Sequence, residues 1–293
     1  MKKFMTAAEL ARDDRFTRLQ IPVEILMAEE ISVEQLEQMF KMMQSRAEEA
    51  GVAGAKDKVP GPGPLGGRVK PTDDLAPAAM RRQMHGIFMG EVQALEGAGR
   101  SCWDYVDNDE LPWEFQLDMA RQCWDESRHV EIYGALLAHV DCEIGRYPEN
   151  VMLFEFACSD DAAERVVGVN RCLEGLALDV FNETIKFGKT AGDETIWRSV
   201  DYVAADEVTH VRFGQVWAKA LTEGDPERRA KVVAFQRKVD RAFSFGGLRG
   251  AYDSRTNEEF MPIAVELRKL AGFTDDDIAD VRAAAPKLTG LSS

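Results

Sequence analysis

Apolar residues recur along most of the chain at the three-to-four-residue spacing of an α-helix, and breaks in that rhythm delimit the segments. Leu36, Met39, Phe40 and Met43 mark a helix over 33–49, with Ser32 and Gln35 spaced for a capping box and Gly51 placed to stop it. A shorter helix is expected at 6–16. Between Gly51 and Pro77 the run VPGPGPLGGRVKP is too interrupted for regular structure and reads as a loop or arm. Four long helical patterns follow. The first spans 77–105, with Pro77 suited to a first turn, and the second 113–140, after Pro112. The third starts at Ser159, a candidate cap with Asp160, Asp161 and Glu164 in the first turn, and ends near Gly192. The fourth spans 193–224. Each would be about 42–48 Å long at the α-helical rise. Shorter helices are expected at 226–243, 257–271 and 275–285, with the turn Phe245-Gly246-Gly247-Leu248 after the first of them. No strand-type alternation competes with these patterns. The expectation is an all-α four-helix bundle with extra N- and C-terminal helices. Its parts are an N-terminal lobe (1–50), the arm (51–77), the bundle (78–224) and a C-terminal extension (225–293).

Composition narrows the setting. Hydrophobic residues make up 45% and charged residues 30% of the 293, enough apolar side chain for a sizeable core. The formal charge of -15 disfavours phosphate backbones and anionic membranes as partners. No apolar run is long enough to span a bilayer, and the N-terminus lacks the apolar middle region of a leader peptide. The five cysteines include no C-x-x-C pair, which excludes a rubredoxin-like or zinc-ribbon module and fits free thiols. A cytoplasmic protein is expected.

Chemistry enters with a repeat. Of only four histidines, His85, His129, His139 and His210, two lie in Asp-Glu-x-x-His-Val, at Asp125–Val130 and Asp206–Val211. A single Glu-x-x-His is commonplace. Two in so histidine-poor a chain point to an internal duplication. Phe115, Met119, Glu126, His129, Tyr133 and Leu136 share one helical stripe, and Val200, Val203, Glu207, His210 and Trp217 share another. Glutamate and histidine on an apolar stripe must enter the core, where an isolated carboxylate is costly and needs a proton, a cation or a metal. The other long helices carry Glu91, beside Met84, Ile87 and Phe88, and Glu174, beside Val167, Leu178 and Phe181. Glu91, Glu126, His129, Glu174, Glu207 and His210 together make a ligand set for two metals, one Glu from each of two helices and Glu-x-x-His from the others. Four carboxylates balance two divalent ions, and carboxylate with imidazole suits Fe(II) or Mn(II) better than thiophilic metals.

Asp125 and Asp206 point about 100° away from their neighbouring glutamates. Each is placed to accept the outer N–H of a ligand histidine, the one on the opposite helix, with Arg128 balancing the charge. The register is ambiguous at two positions. Glu96 and Asp179 each stand five residues after Glu91 and Glu174 and are the alternative ligands; only one of each pair can face the metals, and Glu91 and Glu174 sit on the more apolar stripes. His85, His139 and Tyr133 read as ordinary packed or polar residues.

The segments E91-V-Q-A-L-E96, D125-E-S-R-H129, E174-G-L-A-L-D179 and D206-E-V-T-H-V-R-F-G214 resemble the ferritin-like di-iron carboxylate superfamily, and within it a bacterial family of ferritin-like proteins. D-E-S-R-H is also similar to a motif of bacterial multicomponent monooxygenases and ribonucleotide reductase relatives. The likeness covers residues 80–220. It implies a ferritin-like bundle in which Glu91, Glu126 and His129 hold one iron and Glu174, Glu207 and His210 the other, with one or two glutamates bridging. It also implies O2 as co-substrate, oxidation of a small organic molecule, a separate reductase and a homodimer through the long helices. Arylamine N-oxygenases of this plan carry a third histidine where this chain has Val203, which lowers the case for that reaction. Metal storage or peroxide removal by a di-iron or di-manganese protein is the alternative, and an RNA-modifying hydroxylase, disfavoured by the charge, a third.

Overall fold

The computed structural model describes residues 23–49, 77–108, 111–147, 151–245, 248–253 and 258–290. The helix expected at 6–16, residues 51–76 of the arm and the centre of the turn at 246–247 lie outside them.

The chain is an all-α helical bundle. After a single turn α1 (Val23–Leu26) and a short strand β1 (Glu30–Ser32) comes α2 (Val33–Glu49), opened by the expected capping box. Ser32 N donates to Gln35 Oε1 at 2.8 Å and Gln35 N to Ser32 Oγ at 3.1 Å. Helices α3 (Pro77–Asp104) and α4 (Trp113–His139) form one long hairpin. The second hairpin is more broken than its periodicity predicts. It consists of α5 (Met152–Ala157), α6 (Ala162–Val166), a π-helical segment (Val167–Leu173), α7 (Glu174–Ala191) and α8 (Glu194–Ala220). Asp161, not Ser159, caps α6: its Oδ1 accepts from Ala163 N at 2.9 Å and Glu164 N at 3.0 Å. Ser159 Oγ bonds the Glu164 carboxylate at 2.7 Å instead. Gly192 takes the left-handed conformation that ends α7, and Asp193 caps α8 through Ile196 N.

The π segment is pinned on both sides by absent side chains. A Cβ on Gly168 would lie 2.2 Å from the Ala157 carbonyl oxygen, and one on Gly214 of α8 would lie 2.7 Å from Arg171 Cγ. The hairpins meet where α4 packs against α8. Along that seam two apolar clusters, one around Phe115, Met119, Val167 and Trp217, the other around Met84, Ile87, Phe88, Tyr133, Phe181 and Val203, flank a polar middle.

Helix α9 (Pro226–Phe245) continues the chain. The helix expected at 257–271 shrinks to α10 (Val265–Leu270), because Pro262 holds its neighbour Met261 out of helical backbone. Residues before it pair instead, β2 (Tyr252–Asp253) with β3 (Glu258–Glu259) and Arg249 with Met261. Last come α11 (Asp275–Ala283), capped by a Thr274–Asp277 box, and β4 (Lys287–Thr289), which pairs parallel with β1. Among the described residues no helix is long and apolar enough to cross a membrane, and all five cysteines are free.

Candidate metal centre

Each of the four long helices sends one carboxylate into the polar middle, and α4 and α8 add a histidine each one turn further on. Glu91, Glu126, His129, Glu174, Glu207 and His210 are all at most 4% exposed. They form two groups, Glu91 with Glu126, His129 and Glu207, and Glu174 with Glu126, Glu207 and His210; within each group the donor atoms lie within 4.8 Å of one another.

The glutamates of the repeated motif are shared. Glu126 presents Oε2 to His129 Nδ1 at 3.1 Å and Oε1 to His210 Nδ1 at 3.1 Å. Glu207 does the same in mirror fashion, with Oε1 3.1 Å from His129 Nδ1 and Oε2 2.9 Å from His210 Nδ1. Glu91 Oε2 adds a third oxygen at 3.3 Å from His129 Nδ1. One imidazole nitrogen carries at most one proton and cannot satisfy three carboxylates. Glu207 Oε1 is accordingly left without an aligned hydrogen bond despite its complete burial. Donors about 3 Å apart are what neighbouring ligands show around one cation with bonds of about 2.0–2.2 Å. The residues therefore fit a pair of divalent ions, with Glu126 and Glu207 facing both positions and Glu91 and Glu174 facing one each.

Without an ion, protons and imidazolium charge do the compensating. Burial, reinforced by the negative charges of Glu126 and Glu207, pushes Glu91 up to about 8. Burial likewise carries Glu174 well above the carboxylate range, with Glu126 and Glu207 adding to the rise. For Glu126 burial acts upward, but hydrogen bonds from His129 and His210 bring it down to about 2. Burial opposes charge on both histidines. Bonds to Glu126, Glu207 and Glu91 nonetheless hold His129 far above its usual value, and Glu207 with Asp125 does so for His210.

The outer nitrogens are wired crosswise. His129 Nε2 lies 3.2 Å from Asp206 Oδ2, and His210 Nε2 lies 3.3 Å from Asp125 Oδ2. A carboxylate there keeps the proton on Nε2 and turns the Nδ1 lone pair inward. Arg128 Nη2 bonds both aspartates, Asp206 at 3.0 Å, and its guanidinium lies over the Tyr202 ring. Arg121, one turn earlier, was not singled out in the sequence. It bonds Asp125 Oδ2 through Nε at 2.6 Å and approaches Asp206 Oδ1 at 3.6 Å, so two guanidiniums face two aspartates. Burial works against charge on Asp125, yet His210, Arg121 and Arg128 together hold it well below the ordinary range.

The alternative ligands go elsewhere. Glu96 is exposed on α3. Asp179 is buried on the far side of α7, where Arg268 Nε and Nη2 grip its two oxygens at 2.9 and 2.6 Å and Ala264 N donates at 2.8 Å. Five residues turn a helix by about 140°, so Glu174 facing the cluster forces Asp179 away from it. His85 Nε2 accepts from Gly145 N and His139 Nε2 bonds Asp193, both outside the cluster.

Two buried amides complete the centre and escaped the sequence reading. Gln122 Nε2 donates to Glu174 Oε1 at 2.6 Å, and Gln122 Oε1 accepts from Asn170 Nδ2 at 2.6 Å. Their one signal is position: each stands one turn before a clustered glutamate, on a stripe that is otherwise apolar. At the opposite end Tyr133 stacks on Phe181, ring centroids 5.8 Å apart, with its hydroxyl buried and without a hydrogen-bond partner among the described residues.

No curated protein and no solved structure matches the chain. Residues 67–279, which contain every side chain of the centre, match the family described as "Protein of unknown function (DUF455)". The match spans most of the chain, and the protein belongs to the DUF455 family.

Proposed function

We propose that this protein is a ferritin-like, O2-activating di-iron oxidase or oxygenase acting on a small organic substrate. The observation that carries the reading is the pair of histidine Nδ1 atoms facing shared carboxylates Glu126 and Glu207, with both outer nitrogens anchored on aspartates. Glu91, Glu126, His129 and Glu207 would hold one iron, and Glu126, Glu174, Glu207 and His210 the other. Two irons so held supply the reducing equivalents and Lewis acidity that dioxygen chemistry needs.

The chain's own residues set the conditions. Four carboxylates offset two divalent charges, so a buried site becomes affordable to the fold. Asp125 and Asp206 fix both imidazole tautomers, and Arg121 and Arg128 neutralise those aspartates from the solvent side. Met84, Ile87, Phe88, Phe181 and Val203 make one end of the centre dry and apolar, which excludes water and favours an apolar substrate. Val203 also occupies the place where arylamine N-oxygenases of similar plan have a histidine, so N-oxygenation is not the reaction we favour.

The test is anaerobic loading with Fe(II), metal analysis, then admission of O2 with the optical spectrum followed in time. About two irons per chain and an oxygen-dependent spectral change support the reading. Rapid O2 evolution from peroxide by a manganese-loaded form would move the assignment to peroxide removal. Metal content unchanged in Glu126→Ala and Glu207→Ala would remove the site altogether.

A further inference from the structure

The two halves of the centre repeat in sequence but not in their supports. Glu174 is braced. Gln122 Nε2 donates to its Oε1 at 2.6 Å and reaches Glu126 Oε1 at 3.4 Å. Asn170 Nδ2 donates to Gln122 Oε1 at 2.6 Å and to the His210 carbonyl at 3.3 Å. The polarity of this chain is fixed at one end, because a backbone carbonyl only accepts. Asn170 must therefore turn its NH2 toward His210 and Gln122, Gln122 must offer Asn170 its oxygen, and its own NH2 is left for Glu174. The π segment carries Asn170, and the bare Cα of Gly214 lets α8 approach it: a Cβ there would lie 2.9 Å from Asn170 Cβ.

Among the described residues Glu91 has no such brace. The residue that stands to Glu207 as Gln122 stands to Glu126 is Val203, and the residue that stands to Glu91 as Asn170 stands to Glu174, in the aligned repeat, is Ile87. Both are buried in the apolar cluster with Tyr133 and Phe181. Among the described residues the Glu91 carboxylate meets His129 Nδ1, at 3.3 Å. One terminal carboxylate is braced by an amide before any cation arrives, and the other rests on the ligand histidine itself.

We propose that the two metal positions are unequal: the Glu174–His210 position, braced by the Gln122–Asn170 amide pair, is tight and fills first, and the Glu91–His129 position is loose and exchangeable. The proposal rests on the metal-centre reading and adds an order to it. A ligand that is already oriented loses less freedom on binding, and residues supporting ligands change metal affinity by about 10–100-fold. The loose position lies on the side of Ile87, Val203, Tyr133 and Phe181, with no amide pair there, so it is where an exogenous ligand would displace a carboxylate at least cost.

The test is an anaerobic titration of metal-free full-length protein with Co(II), read by optical absorption and by bound metal per chain. Two equivalents should bind in steps separated by about tenfold or more in affinity. Glu91→Gln should keep the tight step and lose the weak one, and Glu174→Gln should do the reverse. Gln122→Leu should weaken the tight step by about 10–100-fold and leave the weak step in place. If Gln122→Leu fails to fold, the two glutamate variants decide alone. Two equal steps, or a tight step that survives Glu174→Gln, overturn the proposal while leaving the metal centre standing. Uptake of no Co(II) by the native chain overturns the metal-centre reading and the order with it.

Discussion

Replacing Asp179 by alanine separates a structural carboxylate from a metal ligand. In the native chain Asp179 is fully buried, accepts two N–H bonds from Arg268 at 2.9 and 2.6 Å and one from Ala264 N, and lies 3.7 Å from Arg249 Nη1. Arg268 and Arg249 are themselves fully buried. Arg249 keeps Asp240, at 2.7 Å, but among the described residues Arg268 keeps the Gly175 carbonyl, also at 2.7 Å, and the Phe273 ring, with no carboxylate in hydrogen-bond contact. Stranding a buried guanidinium in this way costs about 3–5 kcal/mol. At about 2–4 °C per kcal/mol for a chain of this size, the melting temperature should fall by about 6–20 °C. The assay is thermal unfolding by circular dichroism, with metal counted on the folded fraction, and the metal content of that fraction should not change. A double variant, Asp179→Leu with Arg268→Met, should regain much of the loss, since an apolar pair of similar bulk tolerates the site better than one orphaned charge. An Asp179→Ala chain that melts normally but takes up less metal would refute the register and make Asp179 a ligand in place of Glu174.

Three other outcomes are expected. Gly168→Ala forces a methyl against the Ala157 carbonyl oxygen, at 2.2 Å if nothing moves; it should destabilise by about 1–3 kcal/mol in a urea titration, and native stability would show that the π segment relaxes freely. Asp206→Asn removes the charged anchor of His129 Nε2 and should weaken Co(II) binding by about 10–100-fold without unfolding the chain; unchanged binding would deny the aspartates their orienting role. Asp277 joins α11 to the π segment through Arg171 at 2.6 Å. Burial acts upward on it, but Arg171 and Thr274 hold its folded value below the ordinary 3.8. Its contribution is thus complete above about pH 4 and is lost as the pH falls through the depressed value, so acid unfolding of Asp277→Asn should begin at no higher pH than its own neutral-pH stability dictates, with a flatter slope than the native chain below pH 3.8.

Local signals carried much of the architecture. Pro77 and Pro112, the Gly192–Asp193 junction and the Ser32–Gln35 box each act within a few residues, so helix limits could be read directly. The convergence of Glu91, Glu126, His129, Glu174, Glu207 and His210 was legible because polar residues on apolar stripes have few places to go. What stayed hidden depends on distant partners. Nothing near Asp179 announces Arg268, which comes from another part of the chain. The π segment shifts the phase of its helix by a residue, which an apolar stripe absorbs without visible sign. The two-residue and three-residue strand pairs are too short to alternate. Gln122 and Asn170 resemble ordinary polar residues until their shared hydrogen bond is seen.

The crosswise aspartates say something about symmetry. Asp125 of one hairpin steadies His210 of the other, and Asp206 returns the service to His129. Residue i meeting j while the copy of j meets the copy of i is the signature of a two-fold axis, here running between α4 and α8. It is the interface that two copies of a single helical hairpin would make as a homodimer. Neither hairpin therefore holds a complete ligand group, since each group draws residues from both. Cations held by Glu126 and Glu207 would fasten the two repeated halves together, and Gln122, Asn170 and Tyr133 mark where those halves differ.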